Sequence, residues 1–285
     1  MSLIAVTVFI SKFDADLQNH DGILVCTGKH YVPHIPRWRV TSDNVPLIVH
    51  ASKLTGINLQ GKQVTVIGGG SYAIEAVRIA ATEGAEHINM VARAFHWILP
   101  TFADTIINSC IDFQSMVLCP NYKEMTESLT VWLEKFYRQN HLERIIPSPE
   151  NKSFDASVST SNEFFEIAQN TSVNFFRSII SEISANSVIL ENGKTLSTDV
   201  LIAATGYEDP NFDFLRGICQ KPVVYKGFML AQDPRITFAG FLDMVGSATA
   251  VLPVNFNAAL AVMRNKKYRP SADKVTEWLN NMPDN

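Results

Sequence analysis

Cysteine is sparse in this chain, long apolar runs are missing, and neither sign of charge dominates. The four cysteines, Cys26, Cys110, Cys119 and Cys219, are scattered and form no C-x-x-C pair. That excludes a disulfide framework and a zinc knuckle and fits a reducing, cytoplasmic setting. Lysine plus arginine number 24 against 28 acidic residues, a formal charge of −4, so no nucleic-acid partner is expected. The opening run, Leu3 to Ile10, is short and lacks a basic lead and a small-residue cleavage site, so neither a signal peptide nor a membrane span is expected. No G-x-S-x-G elbow and no Tyr-x-x-x-Lys pair occurs, which removes the usual signals of a serine hydrolase and of a simple dehydrogenase. With 14 Gly, 13 Pro and 18% charged residues in 285, the chain is neither disordered nor collagen-like. His30 and His34 are four apart, but Pro33 and Pro36 forbid the helix that would align them on a metal.

What is present reads as α/β. One pattern occurs twice, an acid, an apolar run, then Thr-Gly: Asp21 to Gly28 and Asp199 to Gly206. A continuous apolar run ending at Gly predicts a strand buried on both faces of a parallel sheet. Between the two copies, Gln63–Ile67 predicts a strand, Gly68-Gly69-Gly70 a tight turn, and Ser71 to Ala81 a helix with Ala73, Ile74, Val77 and Ala80 inward. His87–Val91 predicts the second strand of a β-α-β unit. No glycine occurs between Gly84 and Gly193. Within that stretch Met125, Leu129, Trp132, Leu133 and Phe136 predict a helix, with Asn121 and Glu124 as its cap. Strands are expected at Ser172–Phe176 and Ser187–Leu190, an Asn192-Gly193 hairpin turn into Lys194–Leu196, a strand at Ile236–Gly240, and a helix at roughly Pro253–Met263.

Gly68-x-Gly70-x-x-Ala73, after a strand and opening a helix, is the dinucleotide fingerprint in its required setting. The first glycine allows the turn, the second lets backbone meet a pyrophosphate, and the helix N–H groups hold the phosphates. Ser71 reads as a phosphate donor rather than a nucleophile. After the second strand, where an NAD site places Asp or Glu, this chain has Ala92-Arg93. A guanidinium suits a 2′-phosphate, so NADP(H) is the expected dinucleotide.

The order Cys26-Thr27-Gly28, His50, Gly68 to Glu75, Arg93, Trp97-Ile98-Leu99-Pro100 and Ala204-Thr205-Gly206-Tyr207 resembles flavin-containing monooxygenases, most closely the bacterial trimethylamine monooxygenase type. The segments Phe238–Phe241 and Pro253–Phe256 resemble that family's closing flavin-domain segment. The resemblance runs from about Asp21 to Met263. It implies that Gly68, Gly69, Gly70, Ser71, Tyr72 and Arg93 hold NADPH. It also implies that Thr27, Gly28, Thr205, Gly206 and Tyr207 lie where two nucleotide domains meet, with Asn255 and Phe256 near the flavin. The family reduces FAD with NADPH and passes one oxygen of O₂ to a soft small-molecule nucleophile, an amine or sulfide.

Two departures accompany the resemblance. The family's Phe-x-Gly-x-x-x-His signature keeps His50, but Asn44 and Pro46 stand where Phe and Gly belong. A second G-x-G-x-x-G, for FAD, does not occur. The expected architecture is therefore a Rossmann-like NADP(H)-binding domain at 45–206, with 1–44 and 207–285 forming an incomplete FAD-binding domain. Either a truncated or split monooxygenase or an NADP(H)-binding pseudoenzyme follows, with an oligomer or partner chain covering what the missing segment would cover.

Overall fold

Short strands with no polar face can be buried only if helices or other strands cover both of their sides, and the chain solves this twice. The computed structural model describes residues 4–6, 22–103, 122–151, 158–169, 172–210, 212–215, 219–220, 222–241 and 248–281. It divides into two compact units: Met1–Val32 with Tyr207–Asn285, and Pro33–Gly206.

In chain order the first elements are strands β1 (Ile4–Val6), β2 (Ile23–Val25), β3 (Arg39–Val40), β4 (Leu47–His50) and β5 (Gln63–Ile67), then helix α1 (Ser71–Thr82) and strand β6 (His87–Ala92). There follow β7 (Ile98–Leu99), α2 (Tyr122–Gln139), β8 (Ser159–Thr160), α3 (Glu163–Ala168) and β9 (Val173–Arg177). A meander of β10 (Ile180–Ser184), β11 (Ser187–Leu190) and β12 (Thr195–Ser197) leads into β13 (Val200–Ala203). The chain closes with β14 (Val224–Tyr225), β15 (Met229–Leu230), β16 (Ile236–Phe238), α4 (Ala248–Arg264) and α5 (Ala272–Asn280).

The Pro33–Gly206 unit is built on a parallel sheet of order β4-β13-β5-β6-β9. Its starting edge is tied by Asp199, the acid of the second repeated pattern. The Gln63 N–H donates to the Asp199 carboxylate at 2.9 Å, the Asp199 N–H donates to Gln63 O, and Leu47 N–H donates to Asp199 O. The acid therefore aligns three strand starts, and the buried Thr65–Thr198 hydroxyl pair at 2.8 Å adds a second tie. Helix α1 covers one face with Ala73, Ile74, Ala76, Val77 and Ala80, all buried. The β3, β10, β11 and β12 sheet covers other apolar side chains, with Ile183, Val188 and Leu201 clustered.

The other unit has a sheet of order β1-β2-β16-β15-β14, parallel from β1 to β16 and antiparallel beyond. Strand β2 lies inside its sheet, flanked on both sides, and is fully buried, as β13 is in its own, so both Thr-Gly runs are parallel core strands. The apolar opening run supplies β1, the sheet's edge strand beside β2.

Several boundaries differ from the sequence reading. Helix α4 runs through Pro253 instead of starting there; a proline this early forfeits one backbone bond, to the carbonyl of Thr249. The strand expected at Ser172–Phe176 is shifted to end at Arg177. The Asn192-Gly193 hairpin turn forms between β11 and β12. Asp21, the Asn121 cap and the side chain of Met125 lie outside the described residues.

One side chain does the work of a missing strand neighbour. Tyr137, fully buried on α2, accepts from the Ile98 N–H at 3.0 Å and donates to Ile98 O at 2.9 Å. Burial pushes its phenol above the ordinary value, so it stays protonated and both bonds persist. The ring packs edge-on to Trp97 and Phe165. Tyr137→Phe keeps the ring and strands two buried backbone groups. We expect it to destabilise the fold by about 2 kcal/mol in a denaturant titration, with β7 amides losing hydrogen-exchange protection first.

Candidate functional site

The candidate site is the carboxyl edge of the β4-β13-β5-β6-β9 sheet. Strand order reverses between β5 and β13: the chain leaves β5 through α1 to β6 on one side, and β13 returns on the other. Ligands of open α/β sheets bind outside such a reversal, where two connecting segments diverge and leave a crevice. The segments that meet here are His50 ending β4, Ala204-Thr205-Gly206 after β13, Gly68-Gly69-Gly70 after β5, Arg93 after β6 and Arg177 ending β9.

Each glycine of the loop answers a different constraint. Gly68 has φ +133°, and a Cβ there would stand 2.3 Å from the Ala204 carbonyl oxygen. Its N–H donates to Val91 O, so the turn is pinned on both sides. Gly69 has ordinary φ, but a Cβ would come 2.5 Å from Ala94 O. Gly70 is different: a Cβ would meet nothing within 4 Å. Glycine at Gly70 is therefore not demanded by packing, and the open space borders the amino end of α1. Gly70 caps α1 without a side chain, and the first turn holds no acidic residue, so the positive end of the helix dipole is uncompensated by carboxylates. The first acid along the helix, Glu75, is bound by Arg78 at 2.6 Å, which holds its carboxyl below the usual range. Ala73, with no exposed surface, lets α1 sit close on the sheet.

Ser71 and Tyr72 are exposed at this helix start. The Ser71 hydroxyl meets the Ser159 hydroxyl of β8 at 2.8 Å. Arg93 stands exposed directly after β6. Ala92 is in register with Arg177, so a second exposed arginine ends the neighbouring strand. Arg177 donates to Ile146 O at 2.7 Å and lies over the Phe95 ring. Sequence reasoning passed over Arg177; its only local signal was a cation closing an apolar strand.

Thr205 and Gly206 are held by a neighbouring network. The Thr205 hydroxyl donates to His34 O, and the His34 N–H donates to Gly206 O at 3.0 Å. His50, buried, bonds Gly206 O through Nε2 at 2.9 Å and accepts the Ser52 N–H at Nδ1. A carbonyl can only accept and a backbone N–H can only donate. Nε2 therefore carries a proton and donates it to Gly206 O, and His50 acts as a clamp on the Thr-Gly turn. His34 enters through its backbone, and among the described residues no cluster of three or more metal-ligating side chains forms.

The remaining expected residues belong to the other unit. Thr27 donates to Gly28 O at 3.2 Å after β2, and Tyr207 stacks on His30 with centroids 5.1 Å apart. Asn255 is buried on α4; its Oδ1 accepts the Gly240 N–H at 3.1 Å, while Nδ2 is buried without a partner among the described residues. A buried amide donor left unspent costs about 1 to 3 kcal/mol, so a ligand acceptor there would be well received. Phe256 of α4 is half exposed. Among the described residues no helix is long and apolar enough to cross a membrane.

Comparison with known proteins follows this geometry. The family model for flavin-binding monooxygenase-like proteins matches residues 7–284. Two Arabidopsis thaliana proteins with flavin-containing monooxygenase names, numbered 2 and 1, are 25% and 24% identical over 83% and 80% of this chain. The matches cover 54% and 52% of those proteins, so the chain spans about half the length of the curated relatives it matches. Among solved structures, OTEMO in complex with FAD and NADP is similar with TM-score 0.65 at 16% identity, over 92% of this chain and 67% of that one. Cyclohexanone monooxygenase from Rhodococcus sp. Phi1 bound to NADP+ gives 0.65 at 14%, over 91% and 64%. Tmm from Pelagibacter sp. strain HTCC7211 gives 0.54 at 15%, over 93% and 48%. These likenesses establish the α/β, Rossmann-like fold.

The glycines separate packing from binding. Gly68→Ala, with its φ and the Ala204 carbonyl both opposed to a side chain, is expected to lower the melting temperature by several degrees. Gly70→Ala is expected to leave the melt of the ligand-free protein near wild type while weakening dinucleotide binding in a fluorescence titration.

Proposed function

The chain belongs to the flavin-binding monooxygenase-like family, and from that premise we propose that its Pro33–Gly206 unit binds NADP(H) as the reductant of a flavin-dependent monooxygenase. The observation that carries the reading is the single sheet edge collecting Gly68–Gly70, the amino end of α1 and two arginines on adjacent strand ends. In this reading Gly70, Ser71 and Tyr72 receive the pyrophosphate at the helix amino end, and Gly69 forms the loop that presents it. Arg93 and Arg177 receive the 2′-phosphate, whose charge the two guanidinium groups match in a fork geometry that ribose hydroxyls alone would not need. Thr205 and Gly206, held by His50, border the same crevice.

FAD, when bound, supplies the two-electron and O₂ chemistry that no protein side chain supplies. The unpartnered Asn255 Nδ2 suits a ring carbonyl of a flavin, and Thr27, Gly28 and Tyr207 lie on the same unit. The fit does not extend to the other end of FAD: a dinucleotide pyrophosphate asks for a glycine-rich loop, and these 285 residues hold one, at Gly68–Gly70. The substrate class we propose is a small soft nucleophile, an amine or sulfide, in a cytoplasmic setting. An oligomer or a partner chain is supported by Leu252, Val254 and Phe256, three large apolar side chains left 40% or more exposed on α4.

A second reading, an NADP(H)-binding module without redox turnover, is supported by the placement of Gly68–Gly70, Ser71 and Arg93 on the one Pro33–Gly206 unit. Absorption spectra of the purified chain separate the two. A flavin band, present at purification or after FAD is added, that bleaches with NADPH and recovers in air supports the monooxygenase. NADPH binding with no flavin band supports the module.

The dinucleotide choice is tested independently. Arg93→Ala is expected to weaken NADPH binding about 10- to 100-fold, the loss of one charge-assisted contact, while NADH binding stays nearly unchanged. Equal losses for the two cofactors would sink the 2′-phosphate assignment.

A further inference from the structure

Next to the glycine loop, one hydroxyl pair has no role in the packing just described. Ser159 is 5% exposed, and the described residues offer its Oγ one partner, Ser71 Oγ at 2.8 Å. Ser71 is exposed at the first position of α1. Two hydroxyls 2.8 Å apart share one hydrogen bond, so one of them donates and the other keeps its proton for a different acceptor. If Ser71 donated inward, the Ser159 proton would be stranded in the interior, at the cost of an unsatisfied buried donor. If Ser159 donates outward, its proton is spent and the Ser71 proton faces the open space beside Gly70. The second arrangement leaves no Ser159 proton stranded in the interior.

The backbone around Ser159 is fixed independently of that bond. Its N–H donates to Trp97 O at 3.2 Å, Ser161 N–H donates to Leu99 O at 3.0 Å, and Ile98 is its register partner. Trp97 and Ile98 are almost wholly buried, and Asn162 accepts the Thr101 N–H at 2.8 Å on the same connection. The Ser159 hydroxyl is therefore delivered to the helix start on a rigid support, from a segment more than eighty residues away in the chain.

We propose that Ser159 is a positioning residue for dinucleotide binding. It orients the Ser71 hydroxyl so that its proton points at the pyrophosphate, and never touches the ligand itself. This rests on the reading of the Gly68–Gly70 loop as the NADP(H) site. A charged phosphate oxygen is a strong acceptor, and a donor already oriented toward it loses less freedom on binding than a rotating hydroxyl does.

The test is a double-mutant cycle on the full chain, read by calorimetric titration with two ligands. NADP+ carries the pyrophosphate; adenosine 2′-monophosphate keeps the adenine, ribose and 2′-phosphate but lacks it. Ser159→Ala is expected to weaken NADP+ about tenfold and to leave adenosine 2′-monophosphate within about twofold, which also certifies that the variant is folded. Ser71→Ala is expected to lose at least as much for NADP+, and the double variant no more than Ser71→Ala alone, because Ser159 acts through Ser71. Equal weakening of both ligands would mean that Ser159 only holds β8 in place, and would overturn the proposal. So would additive losses, or an unchanged NADP+ affinity in Ser159→Ala. A wild-type chain that binds adenosine 2′-monophosphate but not NADP+ overturns the proposal while keeping the 2′-phosphate site; one that binds neither ligand overturns the NADP(H) reading as well.

Discussion

The close approach of the Gly68 backbone to the Ala204 carbonyl sets the geometry on which the rest of the nucleotide unit depends. A side chain at position 68 would begin 2.3 Å from that oxygen, so the turn after β5 can lie flat against the end of β13 only with hydrogen in its place. Because Gly68 N–H also reaches Val91 O, the turn closes over three neighbouring strands at once. The amino end of α1 is thereby held at the sheet's carboxyl edge, with its early N–H groups turned toward the crevice rather than toward solvent at large. Loosening that contact would displace the helix start, the Ser71 hydroxyl and the approach to Arg93 together.

Rigidity on the far side of the loop comes from a different source. Gly69 rests against Ala94 O, and the chain from Ala94 onward is anchored by buried Phe95 and Trp97. The Tyr137 phenol then holds both polar groups of Ile98, and β8 pairs with β7 in parallel. The aromatic cluster of Trp97, Phe136, Tyr137, Phe164 and Phe165 is thus more than filler. It fixes the segment that carries Ser159 back to the helix start, so the candidate phosphate site is supported by side chains that never approach a ligand.

Much of this was legible locally. The β5-α1-β6 unit announces itself because its apolar period switches from two to 3.6 across three glycines, all within one stretch of chain. The place of Arg93 after β6 was legible because it is counted from that same motif. Buried parallel strands at both Thr-Gly runs were legible because neither run has a polar face. Arg177, Ser159 and the His50 clamp on Gly206 were not. Arg177 comes to the strand end next to Arg93 only through the pairing of β6 with β9, and Ser159 meets Ser71 only because β8 docks beside β7. Pro253 misled the reading of α4 because a proline that usually opens a helix is also tolerated one turn inside it.

The residue string alone determined which stretches could form buried strands, where the chain must turn on glycine, and that an arginine follows the second strand. Those properties depend on neighbours within a few positions, where backbone sterics and side-chain polarity act directly. Tertiary structure decided which of three adjacent glycines serves packing and which borders open space. It also decided that two arginines share one edge and that a buried serine stands behind an exposed one. Each of those facts is set by strand register and by long-range docking of a connecting segment, and register is the sum of many contacts that no single stretch of sequence contains.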